Sequence, residues 1–295
     1  QRQMCIRDRP NGLSHFNPPR TSANCRRFNR LIDVFMSNQR VVSASTLVWT
    51  PVEIYDPDGG KYILWPHLPC VESPVELRPG LNPINLAFLA SSEDLWRWKE
   101  EEIENEANPG AHVAAASASG TTLGRYLSDL LGLGLHDVRI PDPEPMRLLN
   151  DHGGAKIFPL EPSSDDLGWA DLMVRHAEQA SKASTFLGLI STGRRWRKLR
   201  TSSISRLDHH DAIDPEVGAA AASAAAWWAE EQRSWTKELT QERDLRIASR
   251  LRGAMRSVRE GESDSEILVP IHQARLNEIA VGLSRWPECE ECKDE

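Results

Sequence analysis

A chain of 295 residues with 43 acidic against 35 basic side chains, net −8, is too acidic to hold nucleic acid through its overall field. No run approaches the roughly 18 apolar residues of a membrane-spanning helix, and five cysteines over this length do not make a disulfide-stapled secreted module. What remains is a globular protein able to bury one good core, with a cytoplasmic location as the expectation.

The first segment reads differently from the rest. Gln3-Met-Cys-Ile-Arg-Asp-Arg9 resembles the translation of a transposase adapter used in sequencing libraries, and residues 10–35 show neither helical nor strand period. Met36-Ser-Asn-Gln-Arg reads as a start, so residues 1–35 are expected to be a non-native or disordered extension; a truncated native basic arm is the alternative for residues 10–35. That segment holds seven arginines against two aspartates, so the rest of the chain is more acidic still. Residues 36–286 are expected to form a single α/β or α+β domain, with a helical insertion at 163–235 and an acidic tail at 287–295.

Residues 46–55 and 61–65 are rich in β-branched and aromatic side chains, and Asp56-Pro-Asp-Gly-Gly60 between them supplies a turn's dihedrals. They predict a hairpin, with Pro51 confining the first arm to an edge. The prolines of residues 66–83 predict a loop, and 81–106 a helix ending in a solvated acidic run. Residues 109–120 read as a linker and 122–131 as a helix stopped by Gly132 and Gly134. A short strand is expected at 137–140, where Pro141, Pro143 and Pro145 forbid a helix directly after it. A short helix at 146–150 and a strand at 155–158 follow, then a helix within 166–187.

Asp214-Pro215 caps the longest helical stretch, which continues as an apolar 3–4 pattern from Thr236 to about Arg259, with Gly253 as a mild fault. Residues 267–271 are short, apolar and β-branched, as a strand covered on both faces should be. A helix at 273–283 closes the domain. The expected fold is a central sheet fed by the hairpin, with covering helices and a C-terminal helix–strand–helix unit.

The chemistry is expected where the last strand delivers His272 to its C-terminal edge, the usual ligand side of α/β sheets. The hairpin likewise runs into a histidine, Leu64-Trp-Pro-His67, and Gln241-Glu-Arg-Asp244 lies on the helix before Val269-Pro-Ile-His272. This order is similar to the TraB/PrgY and Tiki superfamily, in which a hairpin enters a Gly-x-x-His motif, a Glu-Arg pair sits on a helix, and a strand ends in a second Gly-x-x-His. Here Leu64 and Val269 stand where the superfamily has glycine. The resemblance implies a metal-dependent, peptidase-like hydrolytic site. His67 and His272 would bind a divalent ion, Glu242 would complete the shell or act as base, and Arg243 would orient an anionic group. That requires the two imidazoles within roughly 4–7 Å of each other. Satisfied, partly buried histidines and an ordinary helix-surface ion pair are the bland alternative.

Two other functions compete. A non-catalytic relative would bind a protein partner through acidic, Trp-bearing helices, in which Trp96, Trp98, Trp227, Trp228 and Trp235 are expected as packing anchors. Asp208-His-His-Asp211 is similar to the tripeptide of DHH-type phosphoesterases, but neither a buried strand nor an Asp-x-Asp precedes it. Arg194, Arg195, Arg197, Lys198 and Arg200 around Trp196 form a basic cluster with the chemistry to hold a phosphate or stack on a base, although such like-charged neighbours more often mark a solvated helix face. Cys289-x-x-Cys292 is half a zinc site in what reads as an exposed tail. The ligand class expected at the histidines is a small molecule or a peptide.

Overall fold

The turn chemistry of residues 56–60 folds as it reads. β1 (Val52–Tyr55) and β2 (Lys61–His67) pair antiparallel, Val52 opposite Leu64 and Tyr55 opposite Lys61. Gly59 and Gly60 take φ of 106° and 91°, which only glycine adopts without strain. A computed structural model of the chain describes residues 46–79, 85–135, 137–151, 153–182, 192–260 and 265–293, all within one compact unit, Ser45–Glu295. The adapter-like segment and the expected start at Met36 lie outside the described residues.

Three further strands complete a five-stranded sheet: β3 (Asn85–Phe88), β4 (Ile157–Pro159) and β5 (Glu266–His272), in the order β1-β2-β5-β3-β4. All strands but β1 run parallel. The β2–β5 ladder is in register from Lys61 opposite Glu266 to His67 opposite His272. Side chains alternate between two buried faces, as a parallel sheet requires. Tyr62, Leu64, Ile267, Val269 and Ile271 pack on one side with Ile247, Leu251 and Met255 of α8 (Lys237–Arg259) and Ile279 and Leu283 of α9 (Leu276–Leu283). Trp65, Leu86, Phe88 and Leu268 pack on the other with Leu95 of α1 (Ser92–Ala107) and Met146 and Leu148 of α4 (Pro143–Asn150). This is the expected α/β class. A second cluster joins Tyr126, Leu127 and Leu130 of α3 (Thr122–Gly132), Trp196 of α6 (Thr192–Ile204) and the alanines of α7 (Pro215–Glu231) to Trp49, Leu68 and Cys70. It stands over the end of β2. No helix among the described residues is long and apolar enough to cross a membrane.

Several elements differ from those expected. Strand β2 continues through Pro66 to His67 instead of ending in a loop. Pairing of β2 with β1 ends at Leu64 and of β5 with β3 at Leu268, so Pro66 and Pro270 lie where the ladder on one side has ended and a missing N–H is tolerated. The helix expected over 81–106 begins only at Ser92, after β3; residues 81–84 lie outside the described residues. A four-residue apolar run cannot be told from a helix start by period, yet the Ser91–Asp94 capping box marks the true beginning. The linker over 109–120 contains a helix, α2 (Ala111–Ala118), in keeping with its alanines. The helix of 166–187 is α5 (Leu167–Ala180), and the stretch from Asp214 to Arg259 breaks at residues 232–236 into α7 and α8. Trp235 therefore lies between helices, and Trp96 is exposed rather than a packing anchor.

The C-terminal tail is docked, not loose. Cys292 is buried with its thiol on the Pro159 carbonyl, and Glu290 donates its N–H to Ser249 and takes ion pairs from Arg246 and Arg250. Gly253 is where the tail crosses α8: a Cβ there would stand 1.7 Å from the Glu290 carbonyl oxygen. Gly253→Ala should gain up to about 1 kcal/mol of helix propensity and lose more by displacing the tail, for a net destabilisation of about 1–3 kcal/mol. Urea unfolding measures this, and an unchanged or raised midpoint would show that the tail is not held there.

Candidate metal centre

Because β2 and β5 are adjacent, parallel and in register, their last residues bring two imidazoles to the same sheet edge. The His67 and His272 ring centroids are 5.2 Å apart, with planes at 79°. Asp142 joins them from the N-cap of α4. A capping carboxylate usually accepts N–H groups of its own first turn, but here Pro143 and Pro145 occupy that turn and Asp142 makes no such bond. Its oxygens turn outward instead. Oδ2 lies 2.9 Å from His272 Nε2, and Oδ1 accepts the Cys70 N–H at 2.8 Å. One ligand atom from each of His67, Asp142 and His272 lies within 4.8 Å of the others. Donors to a shared ion sit roughly 3–4 Å apart, so small rotamer changes would close the set.

The loop after β2 is braced to hold this geometry. Cys70 adopts a left-handed φ of 61°, which aims its N–H at Asp142. The Tyr126 hydroxyl donates to the Pro69 carbonyl at 2.7 Å, Arg139 N–H to the Cys70 carbonyl at 2.9 Å, and Val71 bridges Val138. The fully buried Glu144 ties Ser73, Arg78 and Arg147 to the start of α4.

Burial, then the neighbouring His272, lowers the His67 pKa to about 4, so its ring is neutral at physiological pH. Its Nδ1 lies 3.2 Å from the Leu68 carbonyl; a neutral ring donating there leaves Nε2 as a free lone pair. Burial pushes the Asp142 carboxyl up, but the hydrogen bond and charge of His272, with His67 and the Cys70 amide, hold it below its ordinary value. Burial and the adjacent carboxylate push the Cys70 thiol well up. His67 and Asp142 are therefore held in ligand-competent forms beside the second imidazole, His272.

Metal-free protein should lose stability as pH falls from 6.5 to about 4. In that window the unfolded chain binds a proton at His67 and the folded chain does not, so the effect is absent above the window and reaches about 3 kcal/mol below it. Asp142, with its pKa depressed, acts only below the ordinary carboxylate range, so the two are separable. Urea midpoints of wild type and His67→Gln across pH 4–7 check this; parallel curves would reject it.

A cavity of roughly 240 Å³ opens beside the three side chains. Arg275 and Trp227 line it with them, and Phe88, Trp98 and Ile140 give it apolar walls. Trp227 lies 5.7 Å from the His272 ring and stacks on Tyr126 at 5.5 Å.

The other expected site residues are placed elsewhere. Neighbours on a helix point about 100° apart, so Glu242 and Arg243 cannot both face the sheet. Glu242 projects outward and holds Arg175 through two hydrogen bonds of 2.5 and 3.0 Å. Arg243 turns inward against Trp235, 4.6 Å from its ring centroid, and bonds Asp244. Neither lines the cavity; the carboxylate and the guanidinium that do so beside the histidines are Asp142 and Arg275. Asp208-His-His-Asp211 is a surface loop in which His209 and Asp211 are 90% and 100% exposed, and it forms no metal-ligating group among the described residues. In the basic cluster Trp196 is buried, donating to Asp129 at 2.9 Å, while Arg195 pairs with Glu230 and Arg200 with Asp129. That indole is core, not a stacking platform.

Asp142, Trp227 and Arg275 were the residues that sequence reasoning missed at this site. Asp142-Pro143 carries the same cap-plus-proline signal as Asp214-Pro215, masked by the prolines around it. Arg275 shares the strand-to-helix turn with His272. The chain matches no family model, no curated protein and no solved structure.

Proposed function

We propose that this chain is a TraB/Tiki-like protein in which His67, Asp142 and His272 hold one divalent ion in a peptidase-like hydrolytic site. The observation that carries the reading is the convergence of two strand-end histidines and a braced carboxylate on one cavity. Two imidazoles and a carboxylate suit zinc or a similar ion and leave a coordination position for water or substrate. Such an ion, when bound, supplies Lewis acidity and lowers the pKa of water. The chain's own part is to keep His67 neutral, to fix Asp142 through the Cys70 N–H, and to exclude bulk water with Phe88, Trp98 and Trp227.

The missing glycines of the superfamily motifs do not count against this. Leu64 and Val269 lie three residues before the histidines and so project to the opposite face of the sheet, where both are fully buried against α8 and α9. A small molecule or a peptide in the cytoplasm is the substrate that belongs with this reading.

Metal analysis and calorimetric titration of the purified full chain test the proposal. One equivalent of a divalent ion should bind with micromolar or tighter affinity in wild type and be lost in His67→Ala. Absence of binding in wild type would overturn it. The 2.9 Å bond between His272 and Asp142 favours one second reading, an ion-free site in which Asp142 orients His272 as a general base. On that reading hydrolysis survives chelation.

A further inference from the structure

We propose that Arg275 binds an oxyanion, a carboxylate or phosphate carried by the substrate, in the same cavity. The proposal rests on the hydrolytic reading of the cavity for its meaning, but not for its geometry. Arg275 is only 8% exposed, yet two of its nitrogens, Nε and Nη2, are buried without a hydrogen-bond partner. Those two nitrogens form one edge of the guanidinium fork, the edge that grips a carboxylate or phosphate with two parallel bonds. Leaving charged donors unpaired in the interior is expensive, and native proteins tolerate it chiefly where a ligand or ordered water completes the set.

The surroundings show why no protein group supplies the partner. The nearest carboxylate, Glu161, approaches Nη1, on the other side of the fork, at 3.8 Å. Trp228 stacks under the guanidinium at 5.3 Å and spends its own N–H on Glu278. Arg243 lies against the same indole at 5.7 Å and adds a like charge. Asp244 and Glu278 offset that charge without reaching Nε or Nη2.

A second observation points the same way. The Trp227 Nε1–H, on another element of the same cavity, is also buried with no acceptor. Arg275 and Trp227, which carry the three orphaned donors, thus line one space with the histidine group, so the molecule that fits brings acceptor oxygens to that side with its reactive bond toward His67 and His272. Glu101 also lines the cavity but stays 29% exposed and faces Arg97 at 3.7 Å, which leaves the anion end to Arg275.

The test uses the full chain, with inorganic phosphate and sodium acetate titrated separately against sodium chloride at matched ionic strength. Wild type should show a saturable rise in melting temperature with phosphate or acetate that chloride does not give, and the tighter of the two identifies the oxyanion class. Arg275→Met should weaken that binding at least roughly tenfold while its divalent-ion titration stays as in wild type. A wild-type response no larger than chloride's, or equal oxyanion binding by Arg275→Met, overturns the proposal. The wild-type arm decides even if the variant fails to fold. An Arg275-dependent response in protein that binds no divalent ion supports this inference and removes the metal reading alone.

Discussion

Asp142→Ala should weaken divalent-ion binding at least about a hundredfold, since it removes a ligand and also the group that orients His272. The same change should destabilise metal-free protein by about 1–3 kcal/mol, because the Cys70 N–H, held in a left-handed conformation, would lose the carboxylate that accepts it. Asp142→Asn separates the two effects. Its carbonyl oxygen still accepts the Cys70 N–H, so stability should stay near wild type, while the lost charge and basicity keep ion affinity low. Isothermal titration and urea unfolding of the three proteins check this together. Equal ion affinity in wild type and Asp142→Ala would mean that the carboxylate is no ligand and would favour the ion-free general-base reading.

Much of the sheet was legible in the sequence because its signals are local. Asp-Pro-Asp-Gly-Gly can only turn, and an apolar β-branched run closed by histidine reads as a buried strand wherever it stands. From these, His67 and His272 could be nominated, and the parallel register of β2 and β5 places them side by side. The rest of the site is hidden because the run Pro141, Pro143, Pro145 reads as a breaker, although Pro215 reads as a helix start. In Asp142-Pro-Glu-Pro145 the two prolines occupy first-turn positions whose N–H groups have no helical partner anyway, so they permit the helix and release its capping carboxylate. The Glu242-Arg243 pair misled for the opposite reason: residue types and order suited the chemistry, but helical geometry turned one side chain to solvent and the other into a Trp-lined core. Gly253 looked like a flaw in a helix and is a crossing point for a segment 37 positions downstream. No period in the sequence reports such a contact.

The largest stability effect is expected at the opposite end of β2 from the histidines. Asp56 opens the hairpin turn, and its side chain is fully buried. Oδ1 accepts the Asp58 N–H and Arg259 Nη1, both at 2.9 Å; Oδ2 accepts the Tyr62 hydroxyl at 2.5 Å and Arg252 Nε at 3.1 Å. Arg252 also reaches Asp58 at 2.6 Å and the Pro287 carbonyl at 2.5 Å. One carboxylate thus ties the hairpin to α8, and through Arg252 to the C-terminal segment. Burial pushes the Asp56 pKa up, but its hydrogen bonds from Tyr62, Arg252, Asp58 and Arg259 hold it below the ordinary value, so its contribution is present above about pH 3.8 and is lost as pH falls through the depressed value. Asp56→Ala would strand a buried guanidinium and a buried phenol, and removing one partner of a buried pair costs about 3–5 kcal/mol. Asp58→Ala, whose carboxylate is 61% exposed, should cost under about 1 kcal/mol. Urea unfolding at neutral pH distinguishes them: a low midpoint for Asp56→Ala with Asp58→Ala near wild type is expected, and equal midpoints would show that the turn carboxylate is not the tie. Since Tyr62 and His67 sit at opposite ends of the strand, folded Asp56→Ala should bind the divalent ion as wild type does, which separates loss of fold from loss of site.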